Sequence, residues 1–413
     1  MAGKGNGIGN GIPKQLWVLM GTVFVDMIGV LMVLPLLPYY ARDFDAGGVE
    51  VGLLTSIFAA AQVLSAPFWG RLSDRLGRRP IIIVGLLASA GGYLFFALSQ
   101  ALWMLFATRL MQGVGAGTIG VIQAYVSDSV RPKERAKALG WLTAAASAGV
   151  MLGPLVGSQS SELLGPSAPG FVAGALCLLN VVFAWRLLPE SSSRRSPSRR
   201  RHILGSLTDV LLRPSSPTSS MVWIYTLAMM AFMALNAILA IYLMDRFGVT
   251  KSQIGWFYTY VGGVSVIMRA VMLGRILDRF GEIGTMRLGA LSMTLGFVLL
   301  PMAGHPLLFI PATTFIPVGT AMLFPTSTSM LSQRAPKDEV GQILGVQQSF
   351  RGISGILGPA WAGAAYDYLA TASPMFIAGA LMGLVTLCTL AVRPSDQGDS
   401  PEDEPSAGLV VDS

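Results

Sequence analysis

Long apolar stretches, separated by short charged or Pro- and Gly-containing breaks, recur along the whole chain. Each stretch has roughly the 20 residues that an α-helix needs to cross the hydrocarbon core of a membrane. The pattern predicts an all-α integral membrane protein with twelve spanning helices. Their predicted bounds are residues 15–38, 50–70, 80–98, 102–126, 139–162, 168–188, 220–245, 252–274, 284–302, 306–332, 342–368 and 373–392.

Composition and the first apolar stretch narrow the class of protein. The chain of 413 residues is 53% hydrophobic and 12% charged, whereas soluble domains carry about 25% charged residues. The first apolar stretch is too long for the core of a removable signal peptide, so we expect an uncleaved helix. Cys177 and Cys388 lie in apolar stretches and are expected to be buried thiols rather than a disulfide.

Positive charge is distributed unequally between the two sides of the predicted bundle. Of the 29 Lys and Arg residues, 23 fall on the side that holds the N-terminus. The positive-inside rule therefore predicts a multi-pass protein of the cell (inner) membrane with both termini in the cytoplasm. The asymmetry also accounts for the net charge of +7 without a nucleic-acid partner. The exceptions are Arg42, Arg246 and Lys251 in loops of the other side, and Arg109, Arg269 and Arg351 inside spans.

A polar connector divides the chain into two halves. We predict an N-terminal six-helix bundle over residues 1–188, a cytoplasmic linker over 189–219, a C-terminal six-helix bundle over 220–392 and a disordered cytoplasmic tail over 393–413. The linker is rich in Ser, Pro and Arg, a composition that cannot form a core and that suits contact with anionic lipid.

Two motifs occur once in each half. The segment GRLSDRLGRR at 70–79 follows the second span, and GRILDRFGE at 274–282 follows the eighth. The residues LG and GP, twelve residues apart in the fifth span at 139–154, recur at 344–359 in the eleventh. The interval between the two copies is the same for both motifs to within one residue. This regularity predicts a duplicated six-helix unit with parallel halves, as in many secondary transporters.

The loop at 70–79 combines glycines with charges of both signs. Gly77 permits a tight turn, and Asp74 can cap a helix or pair with a basic residue. We interpret the loop as a latch, meaning contacts between helices that hold one state of an alternating-access cycle; the alternative is a positive-inside anchor. The predicted latch residues are Gly70, Asp74, Arg75, Gly77, Arg78, Arg79 and Asp128, with Asp278 and Arg279 in the repeat.

The fifth span carries small residues at a spacing of four, together with a proline. This pattern predicts close packing against a neighbouring helix and a bend at the proline. The alternative is ordinary small-residue packing without a role in the transport pathway. The residues concerned are Gly149, Gly153, Pro154 and Gly157.

Asp26 and Arg109 are charged residues deep inside predicted spans. Such charges are costly in a membrane and suggest function. A carboxylate in a partly dry cavity can bind and release a proton, so Asp26 is the candidate proton-coupling residue. Arg109 remains charged and is its candidate partner. The alternative for both is a permanent structural ion pair.

A small-molecule cavity between the halves is expected to be lined by polar residues from several spans. Arg269 is near the end of the eighth span, where its side chain can instead extend to the membrane surface. The candidate lining residues are Asp26, Gln123, Asn236, Tyr258, Gln347, Gln348 and Arg351.

Several kinds of chemistry have no sequence signature here. The chain has no GxxxxGK[ST] motif, no Cys/His spacing typical of a metal site and no catalytic set around its two histidines. We therefore expect a protein that is not an enzyme, uses no cofactor or metal and draws energy from an ion gradient. The expected partners are a small-molecule substrate, protons and membrane lipids, and a monomer is expected.

Taken together, the motifs resemble the major facilitator superfamily, and in particular its twelve-span drug:proton antiporter branch, similar to tetracycline exporters. The segment 70–79 resembles that family's motif A, Arg109 with the glycines after it resembles motif B, and the glycines of 140–157 resemble motif C, the antiporter signature. Asp26 with Pro35 and Pro38 resembles the branch's first-helix motif. The resemblance covers residues 15–392 and is stronger in the N-terminal half.

The resemblance implies a proton-coupled antiporter that exports small amphipathic or hydrophobic compounds, and hence multidrug efflux or antibiotic resistance. Tetracycline exporters carry a coupling histidine and acid in the C-terminal half, whereas the eighth and ninth spans here have neither. This departure argues against tetracycline as a substrate and leaves Asp26 as the main candidate for proton coupling. The alternatives are a uniporter or symporter of a sugar, metabolite or lipid, and a membrane receptor or scaffold that transports nothing.

Overall fold

A computed structural model describes residues 14–130, 134–190, 210, 212, 216–335 and 339–392. Most of the predicted linker and all of the predicted tail lie outside these residues. The described helices of the first half are α1 (Lys14–Val33), α2 (Leu37–Arg42), α3 (Gly48–Leu76), α4 (Arg78–Ala97), α5 (Leu102–Ala116), α6 (Ile119–Ser129), α7 (Arg135–Leu164) and α8 (Ala168–Leu187). Those of the second half are α9 (Pro217–Phe247), α10 (Lys251–Ile267), α11 (Leu273–Met302), α12 (Pro306–Arg334), α13 (Val340–Tyr368) and α14 (Ser373–Ala391).

These helices form the twelve predicted spans of an all-α membrane protein. The first span consists of α1 and α2, and the fourth of α5 and α6. The eighth span continues from α10 through a π-helical turn, Met268–Met272, into the start of α11. There Gly281, with a φ of +66°, breaks the helix before the ninth span begins.

The break between α5 and α6 was not predicted. The Thr118 hydroxyl donates to the Gly115 carbonyl at 2.8 Å, and a Cβ at Gly115 would collide with Ser89 of α4. The glycines thus bring α5 close to α4 where the helix is interrupted. Another prediction was half wrong: Cys177 is buried, but Cys388 is exposed on the outer surface of α14.

The two halves are packed alike. In the first half α1 packs against α7 and α8, and α4 packs against α5 and α8. In the second half α9 packs against α13 and α14, and α11 packs against α12 and α14. The halves meet along two helix pairs, α3 with α13 and α7 with α10.

Candidate functional site

The loop at 70–79 lies on the side of the membrane that we call the basic side, since most of the basic loops are there. Gly77 makes the turn between α3 and α4 with a φ of +100°. Arg78 contacts Asp74 at 2.9 Å and Asp128 of α6 at 3.5 Å, and it donates to the Ser73 hydroxyl at 2.7 Å. The structure therefore brings Asp74, Arg78 and Asp128 into one cluster that joins α3, α4 and α6.

Glu190, which the sequence analysis did not single out, caps the start of α4. Its carboxylate accepts hydrogen bonds from the backbone N–H groups of Arg78 at 2.8 Å and Arg79 at 3.4 Å. The Arg79 side chain donates to the carbonyl of Trp185. The capping role suggested for Asp74 is thus performed by Glu190, because an acid at a helix start offsets the unpaired N–H groups there.

Four of the predicted latch residues lie outside this cluster. Arg75 is exposed, and Gly70 has no atom within 4 Å of the place where a Cβ would lie. In the repeat, Asp278 and Arg279 are both exposed, and no ion pair joins them to another described residue. Glu282 instead accepts from Ser329 at 2.7 Å and Gln333 at 3.0 Å. The second half thus holds its loop with neutral hydrogen-bond donors.

The glycines of α7 lie against α1 at very short range. A Cβ would lie 2.5 Å from the Phe24 carbonyl oxygen at Gly149 and 2.8 Å from the Leu31 Cβ at Gly153, and at Gly157 it would collide with the Met32 carbonyl. The prediction of close helix packing by these three glycines is confirmed.

Pro154 lies on the other face of α7, toward the second half. A Cβ at Gly255 of α10 would lie 2.6 Å from the Pro154 carbonyl oxygen and would collide with Ser158. The fifth span is therefore held between α1 and α10, within one bundle and across the two.

Asp26 and Arg109 are both enclosed in the first bundle, with exposed fractions of 6% and 1%. Tyr93 of α4 interacts electrostatically with both of them and with Cys177. No ion pair or hydrogen bond joins Asp26 to Arg109 in the described part of the chain. The predicted partners thus belong to one buried cluster around Tyr93, whose phenol could not be found from the sequence because it comes from another helix.

Arg109 keeps hydrogen-bonding capacity in this cluster. Its Nε and Nη2 atoms, and both amide atoms of Gln112, are buried without a hydrogen-bond partner among the described residues. Unpaired buried donors of this kind are costly. The arrangement leaves donors available to Asp26 if the helices shift.

The remaining predicted cavity residues do not form one surface. Asn236 donates to the Phe232 carbonyl of its own helix at 2.8 Å, and Tyr258 is buried. Gln347 is 4% exposed, and its Oε1 accepts from Thr328 at 3.3 Å. The predicted cavity residues that remain exposed are Gln123, Gln348 and Arg351.

The contact between α3 and α13 covers only part of their length. It begins at Gly48, whose N–H donates to Asp367 at 2.8 Å. It continues through Ser56, which donates to the Ile356 carbonyl at 2.6 Å, and reaches Val63, whose Cγ2 would lie 2.6 Å from a Cβ at Gly352. From Gly48 to Val63 is about 23 Å of helix.

Beyond these contacts the halves separate toward the basic side. Gly70 of α3, Gly140 of α7 and Gly345 of α13 have no atom within 4 Å of a built Cβ. Along α10, the glycine contact with α7 that lies furthest toward the basic side is that of Gly262 with Met151. The two bundles therefore enclose a cleft that opens to the basic side and is closed on the opposite side.

Charged residues hold the closed side together; the sequence analysis placed Arg42 and Lys251 on this side but predicted no partners for them. Arg42 pairs with Asp245 at 2.6 Å, which also accepts from the Tyr366 hydroxyl at 2.8 Å. Lys251 pairs with Asp43 at 3.2 Å. All of these contacts join the first half to the second, except that of Tyr366.

Comparison with known proteins decides the family. The sequence model of the Major Facilitator Superfamily matches residues 19–223 and again residues 221–411. The chain belongs to the major facilitator superfamily. The two consecutive matches correspond approximately to the two halves of the chain.

Individual relatives cover nearly the whole chain. The class C tetracycline resistance protein of Escherichia coli is 30% identical over 91% of this chain and 96% of its own length. Multidrug resistance protein 2 of Bacillus subtilis is 30% identical over 88% of this chain and 92% of its own length.

Solved structures of the superfamily share the fold. The nucleoside transporter NupG has a TM-score of 0.73 at 14% identity, covering 92% of this chain and 98% of its own. A bacterial homologue of the human lysosomal transporter Spinster, in an inward-facing conformation, has a TM-score of 0.73 at 14% identity, covering 94% of this chain and all of its own.

Proposed function

We propose that the protein exports small amphipathic or hydrophobic compounds in exchange for protons, by alternating access. The single observation that carries this proposal is the buried Asp26 cluster beside the glycine-packed α7, in a chain whose relatives include tetracycline and multidrug resistance proteins. The basic side faces the cytoplasm of the cell membrane, with both termini inside. The open cleft is then an inward-facing one.

Asp26 exchanges the proton. In the inward-facing state it is buried with Tyr93 and Arg109 in one cluster, without an ion pair. Movement of α1 against α7 brings the carboxylate toward the free donors of Arg109, which stabilise it once the proton has left. The proton gradient is the energy source, and no cofactor takes part.

Alternating access requires the closed side to open and the basic side to close. Opening breaks the pairs of Arg42 with Asp245 and of Lys251 with Asp43, which are partly exposed and individually weak. Closing brings the loop at 70–79 against the second half. The cluster of Asp74, Arg78 and Asp128 keeps that loop rigid during the movement.

The proposal is tested in two stages. A growth-inhibition panel in an efflux-deficient host identifies a compound to which the protein confers resistance. That compound is then followed in proteoliposomes with an imposed pH gradient, and the wild type is expected to concentrate it against its own gradient. Asp26→Asn is expected to lose this accumulation but to keep downhill movement. Accumulation by Asp26→Asn equal to wild type would show that Asp26 does not couple the proton.

A further inference from the structure

Arg269 and Arg351 are charged residues inside the spans of the second half. Arg269 is further from the span end than the sequence suggested, because in the structure the eighth span continues to Gly281. The acids of these spans, Asp245 and Asp367, are at the closed ends of their helices. Arg351 is 17 residues before the end of α13 at Tyr368, and Arg269 is 18 residues after the start of α10 at Lys251. Both therefore lie about 26 Å below the closed side, at one level.

This level is the point where the halves separate. Arg351 directly precedes Gly352, whose neighbour across the interface is Val63. Arg269 follows Gly262, which contacts Met151, by two turns. Both arginines are exposed, and α10 and α13 are the helices of the second half that make most of the contacts with the first. The guanidinium groups therefore lie at the apex of the cleft.

The two arginines interact with each other although their helices are not neighbours. Each is within electrostatic reach of the other, while α12 packs against both α10 and α13. Two like charges repel, and neither arginine has an ion-pair partner among the described residues. Arg269 also lies in the π-helical turn Met268–Met272, a rare geometry often found at functional sites. An anion bound between the two guanidinium groups would offset this repulsion.

Neutral donors and aromatic rings complete the site. Gln347 is one helical turn from Arg351 on α13, and its Nε2 is buried without a partner while its Oε1 is occupied by Thr328. Tyr225 of α9 interacts electrostatically with Arg351, and its ring packs edge-on against Phe324 at 5.2 Å. Phe232 packs against the same Phe324 at 6.0 Å.

We propose that Arg269 and Arg351 bind the carboxylate of an amphipathic aromatic substrate, whose ring system lies against Tyr225, Phe232 and Phe324. Guanidinium groups bind carboxylates through paired hydrogen bonds. The partly buried rings of Phe232 and Phe324 offer an apolar surface, and the buried Tyr225 packs behind Phe324. The inference rests on the proposed function in one respect, that the cleft receives a small-molecule substrate. It adds that organic anions are among those substrates.

The test measures binding without any gradient. Purified full-length protein in dodecyl maltoside is dialysed to equilibrium against radiolabelled 2-naphthoate, its neutral analogue 2-naphthamide and the cation 2-naphthylmethylammonium. The wild type is expected to bind 2-naphthoate most tightly. Arg269→Gln and Arg351→Gln are each expected to weaken 2-naphthoate binding by about 10- to 100-fold, with Arg→Lys variants in between, and to change 2-naphthamide binding less than about twofold.

Arg186→Gln is the matched control, because Arg186 is exposed at the basic end of α8, away from the cleft; its affinities should equal those of the wild type. The inference is overturned if the wild type binds 2-naphthoate no more tightly than 2-naphthamide, or if both Gln variants bind it normally. Displacement of 2-naphthoate by added phosphatidylglycerol at equal concentration would assign the site to a lipid and also overturn it. Charge-selective binding by a protein that fails gradient-driven transport would contradict only the proposed function.

Discussion

At the scale of single residues, Gly77 shows how one backbone angle supports the basic-side cluster. Its φ of +100° is accessible mainly to glycine, and a Cβ there would lie 2.5 Å from the Glu190 Oε1 that caps α4. Gly281 is its equivalent in the second half, with a φ of +66° and no atom within 4 Å of a built Cβ. The two positions share the backbone strain but not the steric conflict.

We therefore expect Gly77→Ala to destabilise the protein more than Gly281→Ala does. Strain of this kind costs about 1–3 kcal/mol at either position, and at Gly77 the displaced Glu190 carboxylate adds the loss of the cap. The measurement is thermal unfolding of each purified variant in detergent. Equal losses of stability for the two variants would mean that the Glu190 contact contributes nothing.

Single residues differ in how far the sequence predicts them. Asp26 and Arg109 could be found because a charge inside an apolar stretch is conspicuous in any sequence. Glu190 could not, because it stands beside a Ser- and Arg-rich segment that resembles a linker. Tyr93 could not either, since aromatic residues are common in spanning helices and only packing shows that this one lies between the two charges.

At the scale of helices, the glycines of α7 differ in their surroundings although they belong to one motif. Gly149 and Gly153 touch α1, whereas Gly140 has no atom within 4 Å of a built Cβ. The repeat in α13 behaves in the same way: a Cβ at Gly358 would lie 2.8 Å from the Met230 carbonyl of α9, while Gly345 is open. The sequence predicted the motif and its duplication, but not which glycines are in contact.

This difference predicts opposite effects of the same substitution within one helix. Gly149→Ala places a methyl group against the Phe24 backbone, so we expect a loss of about 1–3 kcal/mol of stability and reduced transport. Gly140→Ala has free space and a better helix former, so we expect a gain of up to about 1 kcal/mol. Unfolding in detergent measures both, and a loss at Gly140 as large as that at Gly149 would refute the packing argument.

At the scale of the whole molecule, the sequence predicted two six-helix halves but not how they meet. Their ion pairs join residues about 200 positions apart, such as Arg42 with Asp245, and nothing local in the sequence marks such partners. The predicted spans also do not determine which conformation the protein adopts, because the same helices must serve both states of the cycle. Only the structure shows which end of the molecule is closed and which is open, because the contacts between α3 and α13 stop partway along these helices.

We expect the contacts of the closed side to set the balance between the two states. The double variant Asp245→Asn and Asp367→Asn removes the partners of Arg42 and of the α3 N-terminus, so the outward-open state should gain population. Spin labels at Asp45 and Arg246, in a Cys388→Ser background, report this as a longer distance in pulsed electron resonance.

Glu50→Gln is the control for that experiment, because the Glu50 carboxylate accepts from Gly47 at the start of its own helix, at 2.8 Å, rather than from the other half. It should leave the distance distribution of the wild type unchanged. A double variant with the wild-type distribution would show that the apolar contacts, not these acids, keep the side closed.

Exchange of substrate for a proton at Asp26 requires that Asp26 release its proton when substrate binds. Detergent-solubilised protein in a weakly buffered solution is mixed with a saturating amount of the compound found by the growth panel, and released protons are measured with a pH dye. The wild type and Asp45→Asn, whose carboxylate is exposed in a surface turn, should both release protons, while Asp26→Asn should bind the compound and release none. Equal proton release by Asp26→Asn and the wild type would contradict the account.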